Sequence, residues 1–322
     1  MSERAWIVTD GAVGNERQAE ALAAAMRLDP RVFRLALPAP WSWFAPRRFV
    51  GWERALPTPL RDAAANEPPR IAIGCGRASA LATGWVRERH GAYAVQILDP
   101  RIARERWNLI VAPVHDRVPG DNVLATIGAL NAVTPARLAA AALGRPEFVQ
   151  LPAPRTAVLV GGSTRAQRIG GAYARTLARR LRGWHARDGG SLLITTSRRT
   201  PAVVRSELLA AVAGLPVAMW SPGDASENPY LAFLAHAQRI VVTPDSVNLL
   251  SEACATGKPV FTFAPRPVQG KLAAFHRELR DSGRIRDVGK EPATWAPEPL
   301  RETEGIAAEV LRRFEAWRRT HP

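Results

Sequence analysis

The stretch 239–265, RIVVTPDSVNLLSEACATGKPVFTFAP, reads as a strand, a turn, a helix and a second strand. Ile240, Val241 and Val242 form a β-branched run of the kind found in buried parallel strands. Thr243, Pro244, Asp245 and Ser246 are turn and helix-cap residues, with Asp245 or Ser246 as the cap. Gly257 stands where a glycine ends a helix, and Pro259 follows two residues later. Val260 to Phe263 then starts the next strand.

At about 100° per residue, Val247, Leu250, Ala253 and Cys254 share one helix face, and Asn248, Ser251 and Glu252 the other. The first turn of such a helix has free N–H groups and the positive end of the helix dipole, which suit a phosphate. Glu252 lies about 9 Å along the axis from Ser246. A carboxylate there suits a ribose diol, which offers two donors. Together these features span a nucleotide diphosphate. The same spacing also fits an ordinary crossover helix with a solvated glutamate.

Outward from this stretch, strands and helices alternate on both sides. Strand-like runs fall at Trp6 to Val8, Val32 to Leu37, Ile71 to Gly74, Tyr93 to Leu98 and Leu109 to Ala112. Helical spacing separates them, as in Ala19, Leu22, Ala23 and Met26. Three prolines between Gly144 and Arg155 read as a linker. The alternation restarts at Ala157, with a helix expected from about Thr164 to Arg182 and strands at Leu192, Val217, Ile240 and Val260. Such alternation predicts two mostly parallel sheets with helices on both faces. The expected division is an N-terminal domain over 1–147, a C-terminal domain over 155–300, and a helix over 301–322 packing back on the first domain. Two doubly wound domains are expected to bind ligand in a cleft at the carboxyl ends of their strands.

Composition narrows the function. The chain of 322 residues carries 44 basic and 29 acidic side chains, a formal charge of +15, which favours anionic partners. It has no zinc-finger, homeodomain or ribonucleoprotein signature and no long basic run, so nucleic acid is not the expected partner. No apolar run nears the roughly 20 residues that span a bilayer, and Trp6-Ile7-Val8 passes at once into Thr9-Asp10-Gly11 without a signal-peptide pattern. The two cysteines, Cys75 and Cys254, read as buried thiols of a cytosolic protein and exclude cysteine-based zinc chemistry.

Polar clusters fall at the expected strand ends. In the first half these are Asp10, Gly11, Gly14, Asn15 and Gln18 after the first strand, and Arg77 after the third. His115 and Asp116 follow the fifth, where a histidine can serve as a base. The glycine spacing is not that of the dinucleotide fingerprint. In the second half, Gly161, Gly162 and Ser163 can set N–H groups around a phosphate. Ser197 and Arg198 bring a hydroxyl and a guanidinium beside a second arginine, Arg199, and arginine forks match phosphate. Asn228 and Tyr230 precede a short helix. Apart from these clusters, residues 41–52, WSWFAPRRFVGW, mix aromatics with arginines between Trp41 and Trp52. That mixture suits an anionic membrane surface; the alternative is an aromatic loop packed on the first domain.

With these pieces in view, the chain resembles the elongated-mitochondria family, named for a plant mitochondrial-fission factor. The pieces are TDGAVGNERQAEAL, ILDPR, APVHDRVPGDNV, IGALNAV, VLVGGSTR, TTSRRTP, NPYLAFLA and TPDSVNLLSEACATGKPV. A second resemblance carries chemistry. The segment 246–259 is similar to the donor-binding segment of GT-B glycosyltransferases, above all the lipid-linked muramyl N-acetylglucosaminyltransferase family. Ser251-Glu252 and Gly257-Lys258-Pro259 match that family's Ser-Glu and Gly-x-Pro. The resemblance implies that Glu252 holds the donor ribose and that Gly161, Gly162 and Ser163 meet the diphosphate. That family's N-terminal Gly-Gly-His loop departs from Gly14-Asn15 here. Asp10 is the best local substitute as base, as in inverting heptosyltransferase-like enzymes, and His115 the second.

The expectation is therefore an α/β protein of two Rossmann-like domains, GT-B-like. Its expected activity is metal-independent and transfers sugar from a nucleotide-diphosphate sugar to an envelope or lipid-linked acceptor, with the inverting outcome that the resemblance implies. No cofactor is obligatory in this reading. Asp245, Ser246 and Asn248 complete the expected donor site. A non-catalytic scaffold of the fission family and a nucleotide-sugar epimerase using His115 and Asp116 stand as alternatives. The expected location is cytoplasmic, peripheral on the inner face of the plasma membrane.

Overall fold

The computed structural model describes residues 4–164 and 167–321. The chain divides into two compact units, Met1–Ala132 with Glu302–Pro322, and Val133–Arg301.

In the first unit, strands β1 (Ala5–Thr9), β2 (Pro30–Arg34), β3 (Ile71–Cys75), β4 (Tyr93–Ile97), β5 (Leu109–Pro113) and β6 (Val123–Thr126) alternate with helices. The helices are α1 (Val13–Ala25), α2 (Trp41–Phe44), α3 (Trp52–Ala55), α4 (Thr58–Asn66) and α5 (Arg77–His90). The strands form one parallel sheet of order β2-β1-β3-β4-β5-β6. Every residue of β1 is buried, and its alternate side chains enter different cores. Ala5 and Ile7 pack with Leu22 of α1, while Trp6 and Val8 pack with Leu60 of α4 and Trp85 of α5. This two-sided burial explains why the strand is an unbroken apolar run rather than an alternating one. The second strand ends at Arg34, short of Leu37, although the Leu35 N–H still reaches the Thr9 carbonyl at 2.7 Å. The edge strand β6 was not foreseen, because half-buried VLAT carries no strong apolar pattern.

The second unit opens with α6 (Pro135–Gly144), which Thr134 caps by accepting the Arg137 N–H at 3.2 Å. Its strands are β7 (Arg155–Val160), β8 (Ser191–Thr196), β9 (Val217–Trp220), β10 (Arg239–Val242), β11 (Val260–Thr262) and β12 (Ile285–Asp287). Between them run α7 (Gly171–Asp188), α8 (Ala202–Ala211), α9 (Tyr230–His236), α10 (Val247–Ala255) and α11 (Gly270–Asp281). This sheet is also parallel, in the order β12-β11-β10-β7-β8-β9. The helix expected from about Thr164 is α7, which starts at Gly171; residues 165 and 166 of that expectation lie outside the described residues.

The boundary at Ala132 corrects the expected domain end at 147 and the linker reading. Residues 144–155 are held by packing. Phe148 is buried with its ring 4.9 Å from that of Phe233, and the Ser191 hydroxyl donates to the Pro152 carbonyl at 2.8 Å. Proline density is a weak linker signal where an aromatic such as Phe148 can anchor the chain. The last helix, α12 (Thr303–Thr320), belongs to the first unit. Ala307, Val310 and Phe314, at helical spacing, enter the same core as α1, and the Phe314 ring stands 5.4 Å from Tyr93. The Glu302 carboxylate accepts the Ile127 and Gly128 N–H groups at 2.7 and 2.9 Å. Among the described residues no helix is long and apolar enough to cross a membrane.

In each sheet the chain moves outward to one side of its first strand and then to the other. The reversal falls between β1 and β3 in the first unit and between β7 and β10 in the second. Open α/β sheets bind ligands at such points, outside the carboxyl ends of the strands.

Candidate functional site

In the first unit, Thr9 of β1 lies opposite Cys75 of β3, so Asp10 and Gly76 follow side by side. Asp10 is exposed. The Asn15 side-chain amide lies 3.1 Å from each of its carboxylate oxygens, and the Ala12 N–H donates to Oδ1 at 3.0 Å. Gly76 has φ +93°, and a Cβ there would stand 2.6 Å from Asn15 Nδ2 and 3.0 Å from Asp10 Oδ2. Glycine is therefore imposed by conformation, and any side chain there would also displace the Asn15 amide. The Gly76 carbonyl is fixed from beneath by the Ser79 hydroxyl at 2.7 Å and the buried Gln96 amide at 3.1 Å. The result is an oriented carboxylate, open to solvent, at the switch point.

The other expected residues of this unit fall differently. Arg77 is exposed at the start of α5, beside Gly76. Gly11, with φ +75°, completes the turn after Asp10. Gly14 and Asn15 belong to the first turn of α1 rather than to a loop. Gln18 is buried, and its side-chain amide donates to the Gly14 carbonyl at 3.3 Å, so it braces α1 instead of facing a ligand. His115 and Asp116 form a half-buried 3-10 turn after β5. β3 and β4 separate β5 from β1, so this pair stands roughly 14 Å across the sheet from Asp10's strand.

In the second unit, Val242 of β10 lies opposite Leu159 of β7, so Thr243 follows beside Val160, with its hydroxyl within reach of the next residue, Gly161. The Gly161 N–H donates to the Thr243 hydroxyl oxygen at 2.8 Å. That hydroxyl donates to Asp245 Oδ1 at 2.6 Å, and the Gly162 N–H donates to Asp245 Oδ2 at 3.0 Å. Arg199 adds a guanidinium 3.3 Å from Oδ2. The Asp245 side chain is wholly buried. Burial pushes its carboxyl above the ordinary range, while the Thr243 hydroxyl, the Gly162 N–H and Arg199 pull the other way. Thus the two glycine N–H groups expected to face phosphate are donated within the protein, and Asp245 is a strut between the loops rather than a ligand contact. The register, invisible in the sequence, decides this. Both glycines are imposed by close approach: a Cβ at Gly161 would lie 2.2 Å from Asp245 Oδ2, and one at Gly162 2.3 Å from the Arg199 carbonyl.

The loop after β8 closes on the same point. The Ser197 N–H donates to the Val160 carbonyl at 2.9 Å, and the Thr200 hydroxyl to the Gly161 carbonyl at 2.6 Å. Arg198 points no hydrogen bond into this network and is exposed. Ser163 spends its hydroxyl closing its own loop, on the backbone of Ile169 at 2.9 and 3.0 Å. Arg199 is the second arginine of the Ser197–Arg198 cluster, whereas Thr243 and Thr200 stand outside the expected site residues. Their only sequence signal is their place directly after a strand.

Beyond the strut, α10 begins. Ser246 is its cap, accepting the Leu249 N–H at 3.3 Å. The N–H groups of Val247 and of half-buried Asn248 have no acceptor among the described residues. They are the first-turn donors an anion would use. Glu252 is not the solvated residue of the bland alternative: it is buried, and the Tyr230 hydroxyl donates to its Oε2. Asn228 holds Tyr230 in place by accepting its N–H at 3.0 Å, which starts α9. Lys258, after Gly257, fixes α9 from its other end, with its ammonium 2.6 Å from the Leu234 and Ala235 carbonyls. The structure therefore brings Tyr230, Ser246, Asn248 and Glu252 to one helix and its neighbour, with Gly161, Gly162, Ser197 and Asp245 forming the floor beside them.

Two parallel six-stranded sheets, each with polar loops at its switch point, make this a GT-B-like α/β protein. The chain belongs to the mitochondrial fission ELM1 family, whose family model matches residues 13–314. The mitochondrial fission protein ELM1 of Arabidopsis thaliana is 32% identical over 281 residues, covering 78% of this chain and 65% of the plant protein. The chain thus spans just under two thirds of that relative's length. Among solved structures, the UDP-GlcNAc 2-epimerase of Methanocaldococcus jannaschii, in complex with UDP-GlcNAc and UDP, is similar at a TM-score of 0.54 and 12% identity. That match covers 96% of this chain and 99% of the epimerase. MurG of Acinetobacter baumannii matches at a TM-score of 0.51 and 16% identity, over 97% of this chain and 95% of that one. At these identities the likeness concerns the fold.

Proposed function

We propose that the protein binds a nucleotide-diphosphate sugar in its second unit and transfers the sugar to an envelope or lipid-linked acceptor. One observation carries the reading. A capped helix start with two N–H groups left to donate is followed, about 9 Å along, by a buried glutamate already oriented by a tyrosine hydroxyl. In this reading α10 and the exposed Arg198 meet the diphosphate, and Glu252, turned by Tyr230, accepts from the ribose hydroxyls. Asp10 takes the proton of the acceptor hydroxyl, whose oxygen attacks the anomeric carbon. The bond from that carbon to the diphosphate breaks, and the nucleoside diphosphate leaves with its charge offset by the helix start and the arginine. No divalent cation is required, and the acceptor is met at the inner face of the plasma membrane. That the epimerase named above is solved with UDP-GlcNAc and UDP supports a nucleotide-sugar ligand.

The same donor site would serve an epimerase, but His115 and Asp116 lie in the turn after β5, away from the Asp10 switch point, which favours transfer. Isothermal titration with a panel of nucleoside diphosphates and their sugars tests the reading. One base should bind, and Glu252→Ala should weaken it about 10- to 100-fold, the loss of charge-assisted hydrogen bonds. A folded protein that binds none of the panel would turn the reading to a non-catalytic scaffold of the fission family.

A further inference from the structure

The segment 41–52 has two parts with opposite fates. Its base is built into the first unit. Ala45 and Pro46 are buried, and the Trp41 indole donates to the Val50 carbonyl at 3.1 Å. Arg48 lies over the Trp52 ring at 4.6 Å and pairs with Glu88 of α5 at 2.5 Å, while Trp52 packs against the core. Its tip is bare. Val50 is 85% and Trp43 74% exposed, and Phe44 and Phe49, also exposed, stack on each other with ring centres 5.1 Å apart. Every exposed tryptophan or phenylalanine among the described residues belongs to this tip. Single exposed apolar side chains are ordinary, whereas a contiguous cluster of them marks an interaction surface.

We propose that this tip is a docking wedge for an anionic lipid surface. Charge selects the partner. Glu53 is taken by Arg89 and Arg48 by Glu88, which leaves exposed Arg47 and Arg54 without an acidic partner among the described residues. Side chains as exposed as Trp43 and Val50 stand off the surface. A protein partner would need a matching pocket for them, whereas a bilayer interface accepts any protruding ring. Aromatic rings at headgroup depth and arginines paired with lipid phosphates are the usual division of labour at such an interface. The base explains why the tip stays exposed: its hydrogen bond, ion pair and cation–π contact hold the loop ends, so the rings cannot fold inward.

The inference does not depend on the sugar-nucleotide reading. Its test is co-sedimentation of the full chain with vesicles of phosphatidylcholine and of phosphatidylcholine mixed with phosphatidylglycerol, across a salt series. The parent should partition at least about tenfold better onto the anionic vesicles at low salt. W43S/F49S should lose about tenfold or more at every salt concentration, and R47E/R54E should lose most at low salt, where charge is least screened. Circular dichroism and nucleotide titration, both expected unchanged in these variants, separate this result from failure of the donor site. Three outcomes overturn the proposal: a parent that ignores both vesicles, W43S/F49S sedimenting like the parent, or a parent dimer in solution that W43S/F49S dissolves, which would make the tip a self-interface.

Discussion

Each unit sets one aspartate at its switch point, and the two have opposite surroundings. Asp10 is exposed and held by one amide side chain and one N–H. Asp245 is sealed from solvent and held by a hydroxyl, an N–H and a guanidinium. A carboxylate left open after being oriented is available to take a proton or touch a ligand. One whose oxygens are occupied from within can only hold its neighbours. The same contrast runs through the glycines: Gly11 has free space around it, whereas Gly161 is pressed against Asp245.

The sharpest way to break this comparison is Asp10→Asn. If Asp10 is the base, release of nucleoside diphosphate from the bound donor should slow about 10²- to 10⁴-fold with nucleotide affinity unchanged. A retained rate would remove Asp10 from the chemistry. Next in size is Gly161→Ala, whose methyl group would enter the space of the Asp245 carboxylate. It should destabilise the fold by about 3 kcal/mol, read by urea unfolding, or prevent folding. Asp245→Asn should lower stability by about 1–3 kcal/mol, because donors aimed at a carboxylate then meet an amide.

Acid titration separates Asp245 further. Its folded carboxyl titrates above 3.8, its unfolded value, because burial dominates. The stability this group contributes is therefore full below pH 3.8 and is lost as pH rises through the raised folded value. Urea unfolding over that window should give the parent a falling contribution that Asp245→Asn lacks. The smallest effect is expected from Gly11→Ala, about 1 kcal/mol, since only the positive φ resists a side chain there. An effect as large as that of Gly161→Ala would mean the two turns are equally crowded.

Much of this was legible beforehand. The apolar strand runs and the capped helix at Ser246 follow from local patterns, and the structure keeps them with shifts at their ends. The short edge strands β6 and β12 escaped because edges need little apolar surface. The 144–155 stretch escaped because its anchor, Phe148, acts through a distant partner, Phe233.

By itself the sequence determined the alternation of strands and helices, the position of each polar cluster after a strand, and the basic charge. These depend on residues near one another in the chain. Tertiary structure decided what each cluster does. Parallel register set Thr243 and Asp245 against the Gly161–Gly162 backbone, turning a presumed phosphate cradle into an internal strut. It also brought Tyr230 to Glu252 across 22 positions, and left Asp10 open. Such outcomes rest on pairing between strands far apart in sequence, where a shift of one residue exchanges buried for exposed, and no local pattern records it.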